Sequence, residues 1–139
     1  MAQRIREVMT SDPVTIGASA TIQEAAQAMR QADIGDVIVM QDSKVCGILT
    51  DRDIVVRALA DGKDPKSTRV QEICTRELAT LSPSDSVDDA VEVMRQQAVR
   101  RVPVVEGKKP VGVVSLGDLA VERDRRSALA DISAAPANT

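Results

Sequence analysis

A mixed α/β fold, one β-α-β-β-α unit used twice, is what this chain predicts. Three observations carry that expectation. Gly47-Ile48-Leu49-Thr50-Asp51-Arg52-Asp53 returns as Gly112-Val113-Val114-Ser115-Leu116-Gly117-Asp118, a shift of 112 − 47 = 65 residues. The same ungapped shift maps Thr15 onto Thr80, Ala25 onto Ala90, and Met29-Arg30-Gln31 onto Met94-Arg95-Gln96. Within each copy the apolar spacing alternates between short extended runs and a helical period. Two units this alike are expected to pack about a pseudo-twofold axis.

Each element has its own signal. Val14-Thr15-Ile16 is extended after Asp12-Pro13, and Thr21-Ile22-Gln23-Glu24 reads as a capping box, with Glu24 reaching back to the start of the helix. Ile22, Ala25, Ala26 and Met29 then share one helical face, and Gly35 lies in the turn that follows. Val37-Ile38-Val39-Met40 and Val45-Cys46-Gly47-Ile48-Leu49 form a hairpin around Gln41-Asp42-Ser43-Lys44. A second helix is expected near Asp53, with Ile54, Val55, Ala58 and Leu59 inward and a stop at Gly62.

The second copy repeats the order. Ala79-Thr80-Leu81 is extended, and Ser86-Val87-Asp88-Asp89 caps a helix carrying Val87, Ala90, Val91 and Met94. Val102-Pro103-Val104-Val105 and Val111-Gly112-Val113-Val114 make its hairpin, Pro103 pointing to an edge strand or to a strand whose proline sits at its start. The last helix is expected near Asp118. The repeats divide the chain into 1–66 and 67–126, with a small, polar tail at 127–139 expected to be disordered.

Composition narrows the chemistry. With 43% hydrophobic residues the 139-residue chain can build a core. A net charge of −3 implies no general attraction to nucleic acid or an anionic membrane. There is no His, hence no ordinary general base near neutral pH, and no aromatic residue to stack on single-stranded nucleic acid. A bound nucleobase would have to lie between aliphatic side chains and pair with backbone groups. Cys46 and Cys74 align with Val111 and Met9, so both are expected to be buried, reduced thiols. No apolar run approaches the roughly 20 residues of a membrane span, and the default compartment is the cytoplasm. No P-loop or assembled nucleophile is present, so no enzyme is expected.

What the copies share at their polar ends is Thr50-x-x-Asp53 and Ser115-x-x-Asp118. Each follows a strand and opens a helix, where hydroxyl, carboxylate and free amides converge and the helix dipole favours anions. An aspartate there can accept from the two hydroxyls of a ribose. The same spacing also describes an ordinary N-cap with an acidic third position, and both readings stand on the residues alone.

Two tandem units with "P-V-V…G-h-h-T/S-x-x-D" resemble a pair of cystathionine-β-synthase (CBS) domains, a Bateman module, over roughly residues 4 to 125. The stretches that carry it are Ile5-Arg6-Glu7-Val8-Met9-Thr10, Gly47 to Asp53, Val102-Pro103-Val104-Val105 and Gly112 to Asp118. The resemblance implies clefts between the repeats for adenine nucleotides. AMP, ADP and ATP are the first candidates, with S-adenosylmethionine and NAD below them, and no cofactor is required. It implies that Asp53 and Asp118 hold ribose hydroxyls and that Thr50 and Ser115 contact ribose or phosphate. It pairs Asp118 with Thr15 and Ile34, and Asp53 with Thr80 and Val99.

The copies diverge where Gly35-Asp36 becomes Arg100-Arg101 and Arg52 becomes Gly117. Arg100, Arg101 and Arg52 are therefore phosphate candidates, unless the arginine pair is simply a solvated turn, and the two sites should be unequal. The function implied is a stand-alone regulatory sensor that changes shape for an unidentified protein partner. The alternative is a ligand-free dimerisation module. A homodimer is expected on either reading.

Overall fold

The computed structural model describes residues 3–76 and 78–123, and its contacts divide the chain into two compact units. In chain order the elements begin with α1 (Ile5–Val8), β1 (Thr10–Ser11), β2 (Thr15–Gly17) and α2 (Ile22–Ala32). They continue with β3 (Asp36–Gln41), β4 (Lys44–Thr50), α3 (Asp51–Asp53) and β5 (Thr75–Arg76). The second half adds α4 (Val87–Gln97), β6 (Arg101–Glu106), β7 (Lys109–Ser115) and α5 (Leu116–Arg123). This is the mixed α/β repeat that the sequence predicts. The tail at 127–139 lies outside the described residues.

The first unit, Asp12–Leu78 with Gly107–Pro110, holds a sheet of order β2-β3-β4-β5. Strand β2 runs parallel to β3 with Thr15 opposite Ile38, and β4 pairs antiparallel with both neighbours. The second unit joins the N-terminal residues through Ser11 to Ala79–Glu106 and the segment from Val111. Its sheet is β1-β7-β6, and Leu81 bridges Val104 in parallel where β2 stands in the first unit.

Strands β1 and β5 are equivalent under the 65-residue shift, so each opens one sequence repeat and completes the sheet of the other unit. The boundary between 66 and 67 describes the repeat in the sequence, whereas each compact unit takes in a short strand from across it. The recurring glycines explain why the short strands fit. A Cβ on Gly47 would run into the Thr75 carbonyl oxygen, and one on Gly112 would come within 2.8 Å of the Thr10 carbonyl oxygen. Close backbone approach is what glycine permits there.

Each core is a helix face laid on its sheet. Ile22, Ala25 and Met29 of α2 meet Val37, Val39 and Leu49. Val87, Ala90 and Met94 of α4 meet Val102, Val104 and Val114, joined by Ile5 and Leu119. Each fully buried aliphatic side chain contributes roughly 1.5–3 kcal/mol relative to exposure.

The caps follow their sequence signals with one change. Ser86 and Asp89 form the reciprocal box, at 3.1 Å and 3.0 Å. At α2 the Glu24 amide donates to Thr21 Oγ1, but the Glu24 carboxylate takes the Thr21 hydroxyl proton at 3.2 Å, not the backbone amide. Pro103 lies in β6, at the edge of the three-stranded sheet, and its carbonyl accepts from Leu81 N at 3.0 Å.

Two expectations need correction. The helices after β4 and β7 start at Asp51 and Leu116, two residues earlier than expected, so Asp53 and Asp118 sit inside the first turn. Furthermore, Val55 and Leu59 do not face inward. After Asp53 the helix continues as a π-helical stretch, Ile54–Leu59, with Ala60 N bonded to Val55 O at 2.9 Å. Ala58 is buried, whereas Val55, Val56 and Leu59 are 54%, 49% and 69% exposed.

Both cysteines are free thiols, Cys74 buried and Cys46 half-buried. Cys46 occupies the register shift between Val39 and Met40, which leaves it out of the ladder. Burial pushes the Cys74 thiol up, the Arg76 side chain opposes that rise, and the neighbouring Cys46 adds to it.

Candidate functional site

The chemistry gathers where a hairpin strand becomes a helix. Thr50 has extended backbone, which ends β4 and lets its side chain turn over the new helix. The Asp53 amide donates to Thr50 Oγ1 at 3.1 Å, and the Thr50 amide donates to Asp53 Oδ2 at 3.0 Å. Ser115 and Asp118 repeat this, the serine amide donating to Asp118 Oδ2 at 2.9 Å and the aspartate amide to Ser115 Oγ at 3.1 Å. Both pairs are therefore reciprocal capping boxes, as the structural reading of their spacing required. Each box engages one carboxylate oxygen, Oδ2.

The two junctions differ beyond that. Asp53 is 9% exposed, and Arg57 Nε lies 3.7 Å from its Oδ1. Arg57 also donates to the Ile73 carbonyl at 3.3 Å. Sequence reasoning missed this arginine, although its i+4 spacing from Asp53 was visible. Asp118 is half-buried, and the position matching Arg57 is Glu122.

The neighbouring strand also meets each junction. Asp51 N donates to Gly35 O at 2.9 Å, and Leu116 N donates to Arg100 O at 2.8 Å. Asp36 is the register partner of Thr50. In the first unit the residues beside the cap are thus Gly35 and Asp36, and in the second they are Arg100 and Arg101. Ile34 and Val99 precede them, each amide held by a methionine carbonyl, Met29 at 3.0 Å and Met94 at 3.1 Å.

Thr15 is exposed on β2 and Thr80 is exposed ahead of Leu81. Arg52 is also exposed, its amide bonded to the Asp51 carboxylate at 2.8 Å. The first unit therefore brings Ile34, Thr50 and Asp53 to one junction. The second does the same for Val99, Arg100, Arg101, Ser115 and Asp118.

Arg100 has a second setting. It lines a groove of about 500 Å³ between α4 and α5, with Met94, Val99, Leu116 and Leu119 as apolar lining and Arg95 also present. Among the described residues no group of three or more His, Cys, Asp or Glu side chains gathers around a point that could hold a metal ion. No described helix is long and apolar enough to cross a membrane.

Twin sheet-and-helix units, each closing its hairpin on a hydroxyl–carboxylate box, define a tandem module of the CBS type. The chain belongs to the CBS domain family, whose pattern matches residues 5–59 and 70–124. The CBS domain-containing protein YhcV of Bacillus subtilis (strain 168) is 40% identical over 133 residues, spanning 93% of this chain and 94% of that protein. A crystal structure of Hypoxic Response Protein I with two coordinated zinc ions is similar at TM-score 0.74 and 34% identity, over 85% of this chain and 97% of that one. The CBS domain pair of protein MJ0100, in complex with 5′-methylthioadenosine and S-adenosyl-L-methionine, gives TM-score 0.79 at 26% identity, over 91% and 100% of the two chains.

Proposed function

We propose that this chain is a regulatory sensor that binds an adenine nucleotide or adenosyl compound at its strand-to-helix junctions and signals to a protein partner by changing shape. The observation that carries the reading is the second junction. There a half-buried carboxylate with Oδ2 on its own main chain sits in the helix whose first residue, Leu116, is bonded through its amide to the carbonyl of Arg100, next to Arg101. Oδ1 of Asp118 accepts from the ribose diol, the Ser115 hydroxyl donates to ribose or phosphate, and Arg101 carries phosphate charge. Charge-assisted hydrogen bonds of this kind contribute about 1.5–3 kcal/mol each.

The adenosyl ligands of the MJ0100 pair support the ligand class. The first junction is the weaker site, because Arg57 already faces Asp53 Oδ1 and Asp36 stands beside the cap. AMP, ADP and ATP are the leading ligands, ahead of S-adenosylmethionine and NAD. A second copy of the chain is the first partner.

Thermal-shift and calorimetric titration with these five ligands tests the proposal. A ligand at a hundred times its Kd raises stability by about 2.7 kcal/mol, visible as a higher melting temperature. Melting that ignores all five at millimolar concentration overturns it. A second reading, a ligand-free interaction module, is favoured by the fact that both carboxylates already serve their own main chain. In that case Asp118→Ala leaves every titration flat and costs only the cap, about 1 kcal/mol.

A further inference from the structure

The two thiols of this chain lie in one unit and meet there. Cys46 stands in β4 at the register shift, outside the ladder. Cys74 immediately precedes β5, the strand that pairs with β4 through Gly47 and Ile48. Both pack in the same core cluster, and their side chains share a hydrogen bond. Under the 65-residue shift the pair becomes Val111 and Met9, which pack on the core of the second unit. The repeated architecture thus brings these two positions to one core in each unit, and the first unit fills both with sulfur.

Their surroundings differ. Cys46 is half-buried and keeps some contact with solvent, whereas Cys74 is 7% exposed. Burial raises the Cys74 thiol, which favours its protonated form, and the Arg76 side chain hydrogen-bonded to it opposes that rise. A thiol within reach of a small solute, backed by a second thiol and a nearby guanidinium, has the parts of an oxidisable pair.

We propose that Cys46 and Cys74 form a reversible dithiol–disulfide site whose oxidant is hydrogen peroxide. The Cys46 sulfur attacks one peroxide oxygen, the O–O bond breaks and water leaves, giving a sulfenic acid. The Cys74 sulfur then attacks the Cys46 sulfur and breaks its S–O bond. Hydroxide leaves with the Cys74 proton as a second water. Two thiols lose two electrons in all and one peroxide becomes two waters. A small thiol reverses the reaction by exchange, itself ending as a disulfide. The new bond closes the segment that contains Thr50, Asp53 and Arg57, and it anchors the residue after Ile73, whose carbonyl accepts from Arg57. Oxidation therefore stiffens the flank of the first junction, whether or not that junction holds a ligand.

Peroxide treatment of the folded full chain, followed by alkylation and mass spectrometry, tests the site. Both thiols are expected to disappear together, with a mass loss of two hydrogens and a cross-linked peptide pair containing Cys46 and Cys74. Dithiothreitol should restore both. The oxidised chain should also unfold at a higher denaturant concentration than the reduced one, as a closed loop requires. Cys74→Ala should stop at the Cys46 sulfenic acid, which dimedone labels. Should that variant fold poorly, Cys46→Ala, at the less buried position, should form no internal link and keep its denaturation midpoint under peroxide. Thiols that survive peroxide in the folded chain overturn the site, as do thiols that reach sulfinic acid or join other copies without joining each other. An internal disulfide that leaves the unfolding midpoint unchanged overturns the stiffening alone.

Discussion

The two strand-to-helix junctions share a backbone and differ in what surrounds it. Both close with the same reciprocal box, to within about a tenth of an ångström. Around Asp53 the box is sealed: Arg57 faces the free oxygen, Asp36 stands beside the cap and the carboxylate is buried. Around Asp118 the flank is basic, with Arg100 and Arg101 leading into the adjoining strand and the aspartate only partly buried. Duplication therefore preserved the cap as architecture, while the flanking residues decide whether the carboxylate has capacity left for a ligand.

The comparison breaks most visibly at the glycines beneath the junctions. Gly47→Val should lower unfolding stability by about 3 kcal/mol in chemical denaturation, because the new Cβ meets backbone. Gly112→Val should cost less, since its backbone obstacle, the Thr10 carbonyl oxygen at 2.8 Å, is less close and its other neighbour is the flexible Met9 side chain. Equal losses would mean that the two sheets tolerate intrusion alike.

Ligand binding should separate the carboxylates next. By calorimetry with ATP, Asp118→Ala is expected to weaken binding at least tenfold, about 1.4 kcal/mol, while Asp53→Ala changes affinity less than threefold. Arg101→Ala should hurt ATP more than AMP. A larger loss at Asp53 would reverse the proposed order of the sites. The caps themselves should respond equally: Thr50→Ala and Ser115→Ala each cost about 1 kcal/mol of stability. The smallest effect belongs to Arg57→Ala, at most about 0.5 kcal/mol in the same denaturation assay, because its side chain is half exposed and its ion pair is long. That variant sharpens the comparison if it raises affinity at the first junction by freeing Asp53 Oδ1.

Much of this was legible in the sequence. An exact 65-residue shift exposed the repeat, and periodicity placed both long helices and both hairpins. Cap spacing located the junctions as well, since Thr50-x-x-Asp53 encodes its geometry locally. Less legible were features set by partners distant along the chain. The outward turn of Val55 and Leu59 depends on π-helical bonding, which leaves no mark in apolar spacing, and on a helix start at Asp51. The pairing of β1 with β7 also has no local signal, because Thr10-Ser11 is too short and too polar to announce itself as a strand. The sealing of the first box needed Arg57, four residues beyond the carboxylate that drew attention.

The interleaved strands have a consequence for how this protein is made. Thr10 is translated well before its partner Val113, which lies in the last described strand. The second sheet must stay unfinished until the segment around Val113 has been made, and the loop-closure entropy of a distant contact falls on that step. Trimming the leading residues would strip the flank from β7 and leave a bare ladder edge, an invitation to aggregation far from the cut.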